Sequence, residues 1–102
     1  MISHESEIVR KLRLIEGQKA ELIGSLAGIF HALAKTGGQS LAEALGAVII
    51  NCYVLARRLG IDFSQLDEAV CEKLEQNIKH GSEIEKWYGD LSELKRYLRQ
   101  KR

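Results

Sequence analysis

The sequence predicts an all-α protein, and three observations carry that prediction. Proline is absent from all 102 residues. Apolar residues recur at helical spacing along most of the chain, and strand-like alternation between turn signals is hard to find. The expectation is a bundle of about four to five helices joined by short loops. Hydrophobic residues make up 45% of the chain and charged residues 28%, which is the balance of a folded globular protein. A chain of this length has material for one core and not two, so residues 1–102 are expected to form a single domain.

The first helical stretch runs from about Ser3 to Lys35. It carries Ile8, Leu12 and Ile15, then Leu22, Leu26, Ile29, Phe30 and Leu33, at helical spacing. Gly17 is a candidate break, so one long helix and two in tandem both fit. Thr36-Gly37-Gly38 reads as the next turn. Ser40-Leu-Ala-Glu43 then has the capping-box arrangement, in which the serine oxygen accepts an early amide while Glu43 reaches back. The helix from about Leu41 to Leu59 is apolar around most of its circumference, which predicts burial on several sides. Arg57 and Arg58 suit its C-terminal end, and Gly60 suits the left-handed position after it. Asp62 followed by Gln65 restarts a helix from Phe63 to about Lys79, with Leu66, Val70, Leu74 and Ile78 on one face and His80-Gly81 at its end. A last helical segment opens on Ser82 and Glu85 and holds Ile84, Trp87, Tyr88, Leu91, Leu94, Tyr97 and Leu98 as core or interface residues. Gly89-Asp90 is a candidate interruption.

Composition excludes several classes of function. The longest apolar stretch, Leu45 to Ala56, contains Asn51 and ends at Arg57 and Arg58, so no membrane helix is expected. The N-terminus mixes charge with apolar residues from the start, unlike a secretory signal, and the expected location is cytoplasmic. Cys52 and Cys71 lie in apolar helical surroundings and read as small hydrophobes, not as half-cystines. The net charge of +1 gives no steering toward nucleic acid, and the basic run Lys95, Arg96, Arg99, Lys101, Arg102 complements a helix C-terminus. His4, His31 and His80 are scattered, and no His or Cys pair has zinc-site spacing. Asp67, Glu68, Glu72 and Glu75 form an acidic strip that reads as a solvated helix face.

At Glu43-Ala-Leu-Gly-Ala-Val48, the turn LARRLGID, the helix EKLEQN and the tail EIEKWYGDLSELKRYL, the chain resembles the MazG-type all-α nucleoside triphosphate pyrophosphohydrolases. The closer likeness is to a small, divergent MazG-like branch. It covers most of the chain from Leu22 onward, while residues 1 to 21 match weakly. The resemblance implies an all-α bundle completed by oligomerisation, and two helices that each present a pair of acids, E-x-x-E and E-x-x-D, around magnesium. Acids three apart share a helix face, and Mg²⁺ takes oxygen ligands in near-octahedral geometry. Laid on that pattern, the chain has Ser25 and Gly28 at the first pair and Ala44 and Ala47 at the second. No carboxylate stands at any of the four positions. The nearest acids, Glu21 and Glu43, do not rebuild a paired face, and Glu43 is accounted for by its box with Ser40.

The resemblance also implies roles for Lys73 and Asn77, which match the late positions used around metal and phosphates. The plainer reading is a lysine at the edge of the core and an asparagine near a helix end. Asn51 reads as a residue that bonds across a helix interface. The small residues Gly24, Gly28, Ala32, Ala44 and Ala47 suggest a closed seam in place of the old site, with an apolar ligand cavity as the alternative. The leading expectation is a noncatalytic binding or assembly module that pairs with itself as a homodimer or homotetramer, binds no nucleic acid or membrane and needs no cofactor. The alternative is a nucleotide-binding or nucleotide-hydrolysing protein with a relocated site that uses Lys73, Asn77 and an acid such as Glu43, Glu21 or Glu72, with Mg²⁺ as its cofactor. A third reading is a regulatory partner in mixed oligomers, docking through a patch at Trp87, Tyr88 and Leu91.

Overall fold

The computed structural model describes residues 6–35, 38–81, 83 and 89–101. Its helices are α1 (Glu7–Leu33), α2 (Gly38–Arg58), α3 (Phe63–Lys79) and α4 (Asp90–Gln100), and no strand occurs among the described residues. The all-α expectation holds. The chain divides into two compact units, Met1–Phe63 and Ser64–Arg102, the first built on α1 and α2 and the second on α3 and α4. The Thr36-Gly37 part of the first turn, the Ser82–Glu85 capping box, Ile84, Trp87, Tyr88, His4 and Arg102 lie outside the described residues.

α1 is one helix, not two. Ser6 caps it three residues later than the expected start at Ser3, its hydroxyl accepting the Val9 amide at 3.1 Å. The helix passes through Gly17, Gly24 and Gly28 without a break. Each glycine costs roughly 1 kcal/mol against alanine in a helix interior, so packing has to offset that cost. The packing is a seam: Ile15, Gln18, Leu22, Ser25, Ile29 and Ala32, spaced alternately three and four apart, are buried or half-buried. The matching seam on α2 is Leu41, Ala44, Val48, Asn51, Leu55 and Arg58, all half-buried. The two helices run antiparallel, as the Gln18–Asn51 side-chain bond and the Arg58 Nη1 bond to the Leu14 carbonyl (3.3 Å) require.

α2 departs from expectation in two ways. It begins at Gly38, so Ser40 lies inside its first turn; an N-cap residue must precede the helix, and the Ser40–Glu43 box is not its start. Nor is α2 covered on several sides. Ala56 is its one buried residue among those described, while Leu45, Ile49 and Ile50 are exposed. The stretch Ser40–Arg58 is also long and apolar enough to cross a membrane by length and composition, with a mean hydropathy of 1.4. The sequence expectation counted unbroken runs, and a window average tolerates Asn51 and Glu43. A helix meant for the middle of a bundle has the same composition.

The turn after α2 forms as the sequence predicts. Gly60 is left-handed at φ 87°, the Ile61 amide donates to the Ala56 carbonyl at 2.9 Å, and the Gly60 amide donates to Arg57 at 3.0 Å. These two bonds are the Schellman closure. Asp62 stands at the N-cap position of α3, whose first residue Phe63 packs edge-on against Tyr53 (5.8 Å) and under the Arg57 guanidinium (5.6 Å). In the second unit, Gly81 ends α3 at φ 60° and Gly89, left-handed at φ 65°, stands just before α4. Glu75 on α3 ties down α4 through Arg99 (2.8 Å) and Lys95 (3.4 Å).

Candidate functional site

The α1–α2 hairpin has three surfaces besides its outer backs, and their positions follow from helix geometry. One is the seam already described. Beyond the paired Glu16 and Lys19 near the start of α1, stepping one residue forward from the seam positions Leu22 to Ala32 gives Ile23, Leu26, Phe30 and Leu33 on α1, and from Leu41 to Asn51 gives Ala42, Leu45, Ile49 and Cys52 on α2. All eight are exposed, Ile23 to 70% and Phe30 to 65%. A step of one residue turns a helix about 100°, and antiparallel helices turn in opposite senses for a common viewer. Both rows therefore swing to the same side of the hairpin and make one apolar face.

Stepping one residue back gives the opposite side: Glu21, Gly24 and Gly28 on α1, and Glu43, Ala47 and Ile50 on α2. A Cβ built on Gly24 or Gly28 meets nothing within 4 Å. Of the small residues expected to close a seam, Ala32 and Ala44 do lie in it, whereas Gly24 and Gly28 face open space, because the seam row of α1 is the one that approaches α2. Glu21 and Glu43 flank this open side, both exposed.

The four positions at issue for magnesium sit at the hairpin. Ser25 and Ala44 lie in the seam, two turns along from the Gln18–Asn51 bond on their respective helices, and Gly28 and Ala47 are also half-buried. The Ser25 hydroxyl donates to the Leu22 carbonyl at 2.9 Å, an internal bond of its own helix. A hydroxyl so engaged, a glycine and two alanines supply no carboxylate oxygen, and hard Mg²⁺ draws its affinity from such oxygens. These residues do not fit the ion. Among the described residues, no group of three or more His, Cys, Asp or Glu is placed to hold a metal.

Lys73 and Asn77 are brought together. They stand one turn apart on α3, both exposed, beside an open cavity of about 400 Å³ lined with Ala69, Val70 and Leu74. Leu74 is the buried member of that row. Glu43 belongs to the other compact unit. Of the acidic strip, Glu68, Glu72 and Glu75 are exposed and Asp67 is half-buried, with Glu75 committed to α4. The basic C-terminal run is likewise engaged: Lys95 and Arg99 on Glu75, and Arg96 on Glu93 at 2.7 Å. Cys52 and Cys71 are free thiols, and Cys52 is exposed. Of the patch proposed at Trp87, Tyr88 and Leu91, only Leu91 is described, and it is half-buried.

Asn51 behaves as the sequence suggests. Its Oδ1 accepts from Gln18 Nε2 and its Nδ2 donates to the Ala47 carbonyl at 3.0 Å. Gln18, only 7% exposed, is the polar residue that sequence reasoning missed, although its place between Ile15 and Leu22 at seam spacing marked it. Asn51→Leu should cost about 1–3 kcal/mol, because it leaves a buried amide unpaired, whereas Gln18→Leu with Asn51→Leu should recover most of that loss. Urea unfolding of the wild type, both singles and the double at one protein concentration measures it. A double as unstable as the sum of the singles would show that the bond carries no coupling.

A family model described as the MazG-like family matches residues 8–91. Neither curated proteins nor solved structures gave a match.

Proposed function

The chain belongs to the MazG-like family, and from that premise we propose that it is a noncatalytic member, a binding and assembly module built on the pyrophosphohydrolase scaffold. The observation that carries this reading is the donor set at the four magnesium positions. Ser25, Gly28, Ala44 and Ala47 bring no negative charge to offset dehydration of the ion or repulsion by a triphosphate. The apolar face supports the assembly half of the proposal. Its six large side chains, Ile23, Leu26, Phe30, Leu33, Leu45 and Ile49, each leave about 100 Å² in water, or ~600 Å² per chain, which is at the upper end of what a monomer leaves in one patch and near the ~800 Å² that each partner of a stable complex buries. A second copy presenting the same face completes a four-helix bundle with a self-complementary, two-fold interface. The module is a homodimer, or a homotetramer where two dimers join.

A second reading has one observation in its favour. Glu21 and Glu43 share the open side of the hairpin, where Gly24 and Gly28 leave space. A nucleotide held there with Mg²⁺ would make the protein a pyrophosphohydrolase of altered chemistry. Pyrophosphate release from the common and modified nucleoside triphosphates, with and without Mg²⁺, separates the two. The proposal expects no magnesium-dependent turnover and no rise in Tm with nucleotide. Turnover that disappears in Glu43→Gln would establish the second reading instead.

A further inference from the structure

The end of the hairpin that holds the start of α1 and the close of α2 differs in charge from the rest of the molecule. Residues 7–15 and 55–63 carry five cations (Arg10, Lys11, Arg13, Arg57, Arg58) and two acids (Glu7, Asp62), a net of +3 in a chain whose total is +1, so all other residues sum to −2. Within this basic end lies a cavity of about 320 Å³ lined by Ile8, Lys11, Leu12, Ile15, Arg58 and Leu59. Ile8 is 71% exposed, and Leu12 and Leu59 are each more than half exposed. The cavity is about twice the ~150 Å³ that takes one benzene in an apolar protein interior, which is room for two apolar side chains.

We propose that this end of the hairpin docks an acidic, apolar-faced helix of a partner protein. Two anchors one turn apart on such a helix enter the groove over Ile8, Leu12, Ile15 and Leu59, and the acids beside them meet Lys11 and Arg58, the two cations that line it. This is helix-in-groove recognition, with anchors supplying contact and charge supplying orientation and on-rate. Concavity decides against a bilayer, which presents no separate anchors to a groove. The inference gives the proposed binding module a class of partner, and it uses a surface other than the face assigned to self-association.

The probe is a labelled synthetic helical peptide with leucines one turn apart and glutamates at the remaining exposed positions, titrated against the full chain by fluorescence anisotropy. Saturable binding in the micromolar range is expected, weakened at least tenfold by Lys11→Glu and by moderate salt, with the helix content of the variant unchanged in circular dichroism. Absence of binding, equal binding of the peptide with lysines in place of glutamates, or unchanged binding by Lys11→Glu would overturn the docking site. So would preference for phosphatidylserine vesicles over the peptide, which would make the surface a membrane contact. A chain that binds the peptide yet sediments as a monomer keeps this inference and defeats the assembly reading.

Discussion

Under the assembly proposal, Phe30→Glu should leave the protein monomeric at micromolar concentration, where the wild type self-associates. Phe30 is at the centre of the Ile23, Leu26, Phe30, Leu33 row and is 65% exposed in the single chain. A two-fold interface presents each position twice, so one substitution introduces two carboxylates into an apolar contact. At about 2 kcal/mol or more for each buried, unpaired charge, the loss is ~4 kcal/mol, roughly a thousandfold in association constant. Ile50→Glu is the matched control, since Ile50 is 63% exposed but lies on the opposite side of the hairpin. Sedimentation of the wild type and both variants decides the matter. A monomeric wild type would end the assembly proposal, and dissociation by Ile50→Glu but not by Phe30→Glu would move the interface to the other face.

That face explains which parts of the fold the sequence made legible. Turns were legible because their chemistry is local: Gly60 and Asp62 act through their own backbone and immediate neighbours, and both stand where the LGID turn places them. Asn51 was legible because a polar residue within an apolar helix needs a partner. The environment of α2 was not. Its apolar circumference predicts burial on several sides, yet Leu45, Ile49 and Ile50 are exposed, and the described cover is α1 along the seam and Phe63 at Tyr53. The same gap misread Gly24 and Gly28. Small residues permit close approach, but only a neighbour at the right angle makes use of the permission, and here the seam row carries the approach while the glycine row faces open space. Ser40 was a strong local start signal that lost to a helix already begun at Gly38.

The site divides along the same line. Lys73 and Asn77 share a face because residues four apart on a helix must, and the structure adds the cavity beside them. The absence of acids at Ser25, Gly28, Ala44 and Ala47, the positions that the resemblance assigns to magnesium, was legible as identity alone, since no packing turns an alanine into a ligand. What sequence could not give was the depth of those positions: Ser25 and Ala44 lie in the helix seam and Gly28 and Ala47 at its edge, all half-buried. That depth sets the size of the second large effect.

Returning carboxylates to those positions should make stability depend on magnesium. In the variant Ser25→Glu, Gly28→Glu, Ala44→Glu, Ala47→Asp, the seam carries two acids and its open edge two more, within a few turns of two packed helices. Without a cation they repel one another and lose hydration, and each costs more than an exposed acid would. The apo variant should therefore melt well below the wild type. Mg²⁺ at about a hundred times its Kd stabilises the native state by ~2.7 kcal/mol, which at about 4–8 °C per kcal/mol for a chain of this size is a Tm gain of roughly 10–20 °C. The wild type, with no carboxylate at any of the four positions, should shift by no more than ~1 °C over the same titration. Ca²⁺ is a useful second ion, because its looser coordination tolerates imperfect geometry; rescue by Ca²⁺ and not by Mg²⁺ would mean that the hairpin brings the acids together without setting octahedral positions. An equal shift in wild type and variant would place a cation site elsewhere on the chain and remove the ground for calling the protein noncatalytic. A shift confined to the variant would mean that the scaffold still positions ligands, and that the missing side chains alone separate this hairpin from a magnesium site.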